Sequence, residues 1–362
     1  MISEDSFSEN WIKTNFEKQG IRADKNKFSF TEKMNHAILL AELLKIHGLD
    51  FIFKGGTSLI LLLDKPQRFS IDLDIITNKS QEDIENILGK ICQNSCFTSF
   101  ELDERKSIGV PKIHYYLYFR PKFSHSPNDG KIVLDIVFSK NPYPQIQEVD
   151  IQKDWIVTKN PIIKITIPTI ESITGDKLTA FAPNTTGILY GKGKHIEIIK
   201  QMFDLGQLFD KITAFEIVSA SFYQNVEKEL AYRHLDKSAD EVLDDIFQTC
   251  LDIINCYDEK NKMNSKMQEL KNGIIAFESW TIGRFKKEEA FEIAGKVAYI
   301  AAKIKYKDFS KPKKFETNMM KIANFEIKMT KFNFLNKKVK YANHALFYWN
   351  QAIDILSNSL QP

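Results

Sequence analysis

Apolar and polar positions change their rhythm about three-fifths of the way along the chain. Up to about residue 212, segments of helical period are mixed with short runs of strand character; beyond 213 the strand character disappears. Helices are predicted over 9–19 and 31–46, the second with an apolar stripe at Met34, Ala37, Ile38, Ala41 and Leu44. Gly48 is a natural stop for it. Residues 51–53 predict a strand entering a tight turn at Gly55-Gly56-Thr57-Ser58, and 59–63 an apolar helical stretch. Further strands are expected over 71–77, 112–119, 131–139 and 162–167, with helices over 80–92, 169–182 and 196–211. Five more helical patterns follow, at 215–228, 239–257, 267–277, 287–305 and 341–360. The expected fold is α+β: a mixed sheet flanked by helices over 1–212, then a helical domain over 213–362.

Composition narrows the class without naming a function. The 362 residues are 43% hydrophobic and 27% charged, with a formal net charge of only +3, so bulk charge argues for neither nucleic acid nor membrane. The apolar runs at 59–63 and 297–302 are far shorter than the ~20 residues a membrane helix needs. The N-terminal segment carries Glu4 and Asp5 where a signal peptide would carry Lys or Arg, so a soluble, cytoplasmic protein is expected. Cys92, Cys96, Cys250 and Cys256 lack the spacing of zinc ribbons or redox motifs and read as free buried thiols.

The informative chemistry begins at Arg68-Phe69-Ser70-Ile71-Asp72-Leu73-Asp74. In a strand, Asp72 and Asp74 project to one side and Ile71, Leu73 and Ile75 to the other. Two carboxylates on one face repel unless a cation neutralises them, and hard oxygen donors suit Mg²⁺; an exposed acidic strand face is the plainer alternative. The run 131–138 is nearly continuous apolar strand with a single acid, Asp135. Such a run predicts burial on both faces, where a carboxylate needs a cation or a Lys or Arg partner. The Gly55–Ser58 turn, at the entry to a helix, would offer N–H groups and hydroxyls to phosphate. Three carboxylates on two strands after such a turn fit nucleotidyl transfer assisted by two metal ions. Asp135 is then a candidate proton acceptor. Arg68 would either clamp a phosphate or pair with Asp72.

The string Gly55-Gly56-Thr57-Ser58-Leu59, with Arg68-Phe69-Ser70-Ile71-Asp72-Leu73-Asp74, resembles the first signature of the AbiEii/AbiGii toxin family. That family is a branch of the DNA polymerase β-like nucleotidyltransferases. Downstream, Asp176-Lys177-Leu178 and Lys200-Gln201-Met202-Phe203-Asp204 match its later pattern, although many members have Arg-Asp where Lys200-Gln201 stands. The resemblance covers about 30–212. It implies a polymerase β-like core in which Gly55, Gly56, Thr57 and Ser58 hold phosphate, with Arg68 beside them. Asp72 and Asp74 would hold metal, with Asp135 completing the set, and Lys177 and Asp204 would serve nucleotide binding and catalysis. On its own, Lys177 would read as a solvated helix lysine.

The implied activity is Mg²⁺-dependent transfer of an NMP from an NTP (EC 2.7.7 type) by the toxin of a toxin–antitoxin or phage-defence pair. The expected acceptor is the 3′ end of tRNA and the expected partner a cognate antitoxin. The alternatives are nucleotidylation (AMPylation) of a protein and a non-catalytic nucleotide-binding interaction module. Residues 303–340 hold twelve lysines, no arginine and three acids, interleaved with Tyr306, Phe309, Phe315, Phe325, Phe332 and Phe334. That stretch reads as a nucleic-acid backbone platform or as a solvated helical surface whose phenylalanines are core. Gly187 to Lys194 lacks the spacing and hydroxyl of a phosphate loop and reads as a mobile basic loop near the substrate. His195 reads as a surface residue and His114 as an ordinary sheet residue.

Overall fold

Among the described residues, seven strands form one mixed sheet in the first part of the chain. They are β1 (Ile52–Lys54), β2 (Leu73–Thr77), β3 (Phe97–Asp103), β4 (Lys112–Phe119), β5 (Lys131–Phe138), β6 (Ile146–Asp150) and β7 (Lys164–Pro168), in the order β3-β4-β5-β2-β1-β7-β6. β2 runs parallel to β5 and β1 parallel to β7, and the remaining neighbours are antiparallel. The computed structural model describes residues 1–103, 111–124, 126, 129–258, 263–316, 325–339 and 342–359. Two compact units share it: one comprises Met1–Thr169 with Thr281–Gly283, the other Ile170–Trp280 with Arg284–Pro362.

In the sheet unit, Phe53, Leu73, Ile75, Leu134, Ile136, Tyr115 and Leu117 form the buried face. Against it lie α2 (Lys25–Ile46), touching β2, β5 and β7, and α4 (Gln81–Asn94), touching β3. A capping box fixes the start of α4, with the Ser80 side chain accepting from the Asp83 N–H and the Asp83 carboxylate accepting from the Ser80 N–H. Helix α2 starts six residues earlier than the expected start at 31, because Asp24 caps it by accepting from the Lys27 N–H at 2.9 Å. α1 (Glu9–Glu17) precedes it, and α3 (Gly55–Leu62) follows β1 without a break. The expected Gly-Gly turn is therefore the first turn of a helix.

The edge strands β3 and β6 have no counterpart among the expected elements. Both alternate weakly, and most of their residues are exposed or half-buried. Backbone pairing to β4 and β7 makes them strands, which side-chain patterning alone does not reveal.

The second unit is helical: α5 (Ile170–Ala180), α6 (His195–Phe209), α7 (Phe215–Tyr232), α8 (Ala239–Asn255), α9 (Ser265–Phe277), α10 (Lys287–Lys305), α11 (Phe334–Lys338) and α12 (Asn343–Ser359). Its core joins Leu178 of α5, Phe181 just beyond it, and Phe203 and Leu205 of α6 to Ile246, Val297, Ile300 and Trp349. The compact units thus divide at Thr169, ahead of the change in sequence rhythm at 212, because α5 and α6 share the core of the later helices. The ends of the last predicted helix, residues 341 and 360, lie outside the described residues, as do parts of the loop between β4 and β5. No helix among the described residues is long and apolar enough to cross a membrane. Cys250 and Cys256 are buried as expected, whereas Cys92 is half-buried and Cys96 exposed.

Candidate active site

Register brings the acids together. Asp74 of β2 is the direct partner of Asp135 of β5, and directly paired residues of adjacent strands share a face of the sheet. The row continues on both sides: Lys54 pairs with Asp74, His114 with Asp135 and Asp103 with His114. A polar row therefore crosses five strands on the face opposite α2 and α4. Asp72 stands just before β2, in exposed chain.

Asp135 corrects one expectation. β5 is not buried on both faces; Ile132, Leu134 and Ile136 are buried, while Val133, Asp135 and Val137 are half-open. The Asp135 carboxylate is met by the His114 imidazole, Nδ1 against Oδ1. That contact escaped sequence reasoning because cross-strand partners depend on register, which one strand's pattern does not carry.

Burial, then the Asp135 carboxylate, pushes the Asp74 carboxyl up to about 6, with Lys54 and Lys112 opposing and Asp72 adding to the rise. A cation placed among these oxygens would relieve that repulsion. Among the described residues, no three His, Cys, Asp or Glu side chains form a ready-made metal cage. The carboxylates open to a cation here are those of the Asp74–Asp135 pair, with Asp72 ahead of it, and Mg²⁺ commonly takes one or two protein carboxylates.

The glycine turn is shaped by the acids behind it. Gly55 has φ of +75°, and a Cβ there would run into the Asp74 carboxylate. A Cβ on Gly56 would meet Arg68 Nη2 and Ser70 Oγ. Arg68 is buried, and its Nη1 donates to the Phe69 carbonyl at 2.8 Å. Thr57 and Ser58 are fully buried. The Thr57 hydroxyl binds Ser70 Oγ at 2.9 Å and also the Asp72 carbonyl, and the Ser58 hydroxyl donates to the Gly55 carbonyl at 3.0 Å. These hydroxyls fix the turn and the segment carrying Asp72. The first-turn N–H groups of α3, which has no side-chain cap, are the donors such a turn could offer an anion.

In the helical unit, Lys177 of α5 and Asp204 of α6 form an ion pair at 2.7 Å, with side chains only 6% and 3% exposed. Lys177 also donates to Gln201 Oε1 at 3.2 Å. Lys177 is thus no solvated helix lysine. Lys200, on the same helix as Gln201, lies 3.6 Å from the centroid of the Trp280 ring. Gly191 and Gly193 take positive φ in the basic loop, and the Gly191 N–H donates to Glu269 Oε2 at 2.8 Å. His195 opens α6.

The lysine-rich stretch resolves into two kinds of residue. Phe332 is buried, and Phe315, Phe325 and Phe334 pack against the helical core, while Tyr306 and Phe309 are exposed. Lys303 is fully buried and pairs with Asp308 at 3.0 Å, whereas Lys307, Lys311, Lys313, Lys328, Lys331 and Lys337 are exposed. Residues 317–324 and 340 of that stretch lie outside the described residues.

No curated protein is similar enough in sequence to count as a relative. Among solved structures, the chain is similar to a candidate nucleotidyltransferase from H. pylori at 16% identity and TM-score 0.42, covering 83% of this chain and 96% of that one. It is also similar to the JHP933 protein of Helicobacter pylori, at 15% identity and TM-score 0.40 over 85% and 94% of the two chains. An antigenic nucleotidyltransferase-like protein from Paracoccidioides brasiliensis matches at 14% identity and TM-score 0.36, over 57% of this chain and 95% of that one. The family model for the nucleotidyl transferase AbiEii toxin of type IV toxin–antitoxin systems matches residues 38–316, which span the Gly55 turn, the acidic row and the Lys177–Asp204 pair; the chain belongs to that family.

Proposed function

We propose that the chain is a Mg²⁺-dependent nucleotidyltransferase that moves an NMP from an NTP to the 3′ end of an RNA acceptor, with tRNA as the acceptor class, and that a cognate antitoxin restrains it. The observation that carries this reading is the direct pairing of Asp74 with Asp135 beside the α3 turn. Asp72, Asp74 and Asp135 would hold Mg²⁺, which when bound supplies charge stabilisation for the transferring phosphoryl group. The N–H groups of the α3 turn face the triphosphate, and Arg68 stiffens that turn from behind. An acceptor hydroxyl oxygen attacks the α-phosphorus as the bond to the β-phosphate oxygen breaks, releasing pyrophosphate. The hydroxyl proton passes to an Asp135 carboxylate oxygen. Lys177 and Asp204 serve nucleotide binding, as the family pattern implies, so the catalytic portion is taken to run through 212.

The test incubates the full chain with each α-labelled NTP, total tRNA and Mg²⁺. Label that enters RNA, needs Mg²⁺ and disappears with Asp72→Ala or Asp135→Asn supports the reading. Label that protease removes and nuclease spares would make the acceptor a protein. NTP binding with no labelled acceptor in any extract would make the chain a nucleotide-binding module.

A further inference from the structure

The helical unit carries a cavity of about 410 Å³ that the proposed transfer chemistry does not use. Its walls are aromatic: Tyr257 just beyond α8, Phe291 of α10 and Phe334 of α11. Tyr257 and Phe291 meet edge to face with centroids 5.7 Å apart, and Tyr257 and Phe334 are half-buried, each keeping part of its ring open. Among the described residues, Lys287, Lys337 and Lys338 also line the cavity, against one acid, Asp258. Lys338 lies 4.9 Å from the Phe334 ring centroid and is paired with Asp258 at 2.9 Å. Lys271 lies 5.4 Å from the Tyr257 centroid. Lys287 and Lys337 are exposed, and the neighbouring Glu288 approaches Lys287 only to 3.7 Å.

We propose that the Tyr257–Phe291–Phe334 cavity binds an unpaired nucleotide of an RNA strand, its base against the rings and its phosphates against Lys287 and Lys337. Three properties favour this occupant. The volume falls in the range of small-ligand pockets and suits one nucleotide. Open ring surface is what unstacked bases seek, and it accepts any base. The charges are lysine rather than arginine, which draws phosphate without reading sequence. An acidic peptide would satisfy the lysines but leave the rings without a planar partner. The site deepens the proposed function, on which it rests for its RNA acceptor: it gives the single-stranded part of that acceptor a holding point.

The experiment measures binding of the full chain to a fluorescent unstructured RNA 12-mer by anisotropy, in EDTA and without NTP, so that no transfer occurs. Phe334→Leu, which keeps bulk and removes the ring, is expected to weaken binding about tenfold, with Phe334→Trp restoring it. Lys337→Glu should weaken binding and make its salt dependence shallower. Lys90→Glu, a charge reversal at an exposed position of α4 in the sheet unit, should bind like the wild type. A 4-thiouridine RNA should crosslink to the peptides carrying Tyr257 or Phe334. Unchanged affinity in folded Phe334→Leu and Lys337→Glu, or equal competition by an acidic peptide, overturns the inference. If the RNA binds here while no NTP ever labels an acceptor, the inference stands and the transferase reading fails; if labelling proceeds and these variants bind normally, the reverse holds.

Discussion

Across the antiparallel β4–β5 ladder, His114 Nδ1 meets Asp135 Oδ1, so one oxygen of the candidate proton acceptor is already held. A carboxylate can only accept, so the ring nitrogen supplies the hydrogen. Groups that orient a ligating carboxylate commonly matter 10–100-fold (about that range) in metal affinity or rate. His114→Ala is therefore expected to raise the Mg²⁺ concentration for half-maximal labelling at least about tenfold while leaving the KM for NTP nearly unchanged. An Mg²⁺ titration of the labelling rate measures it; identical curves would leave His114 as a bystander.

Asp74 sets a stability prediction independent of any acceptor. Its carboxyl is raised from the ordinary value to about 6 by burial first and by Asp135 second, so the metal-free fold prefers it protonated. Stability is therefore full below the unfolded carboxyl value and falls as pH rises through about 6. Asp74→Asn should stabilise the metal-free protein at pH 8 by on the order of 2 kcal/mol, and that gain should shrink as pH drops toward 4. Thermal melts in EDTA across this range test the sign, and added Mg²⁺ should raise the wild-type Tm more than that of the variant.

The parts of this site that were readable in the sequence are those set by local alternation. Alternation predicts Asp72 and Asp74 on one side, but only Asp74 lies in β2, with Asp72 just before it; Asp135 stands out as the lone acid in an apolar run. What escaped depends on neighbours far along the chain. His114 becomes informative only through the β4–β5 register, and β3 and β6 exist through backbone pairing that their polar residues do not announce. The inward turn of the Thr57 hydroxyl depends on Ser70 and the Asp72 carbonyl, thirteen and fifteen residues away. Asp135 sits in a wetter environment than its apolar run implies, since the apolar side chains flanking it are buried only at every second position.

The Lys177–Asp204 pair is buried in the helical unit, and its members depend on each other. Removing one partner leaves an uncompensated buried charge, which commonly costs about 3–5 kcal/mol. Lys177→Met and Asp204→Leu should each lower stability by about that amount, whereas the double variant should recover most of the loss. Labelling activity should stay absent in the double variant. Denaturant melts of the four proteins close the cycle, and a double variant with wild-type activity would remove the pair from the nucleotide site.

Gly55 combines positive φ with a side-chain position already filled by the Asp74 carboxylate. Alanine there meets two penalties, a left-handed backbone and a clash, which together should cost about 2 kcal/mol or more. Gly48 also has positive φ but open space around it, so Gly48→Ala meets the first penalty alone. Gly55→Ala should therefore lower Tm more than Gly48→Ala, and only Gly55→Ala should abolish labelling.

His36 gives the fold an acid limit of its own. The ring is buried, stacked on Phe119 with centroids 3.7 Å apart and packed against Phe7 at 4.5 Å, with Nδ1 bonded to the Glu32 carbonyl at 2.8 Å. Burial pulls its pKa down to about 4. The unfolded chain therefore takes up a proton near 6.5 that the folded chain refuses until about 4. Stability is full above 6.5, declines as pH falls through that window and levels off below it, a loss of about 3 kcal/mol. Asp74 titrates in the same window with the opposite sign, so the measurement belongs in an Asp74→Asn background. There, denaturant midpoints between pH 7 and 5 should fall with a slope that His36→Gln removes, even though the substitution lowers stability at every pH by losing the stacked ring. An unchanged slope in His36→Gln would assign the acid limit to other groups.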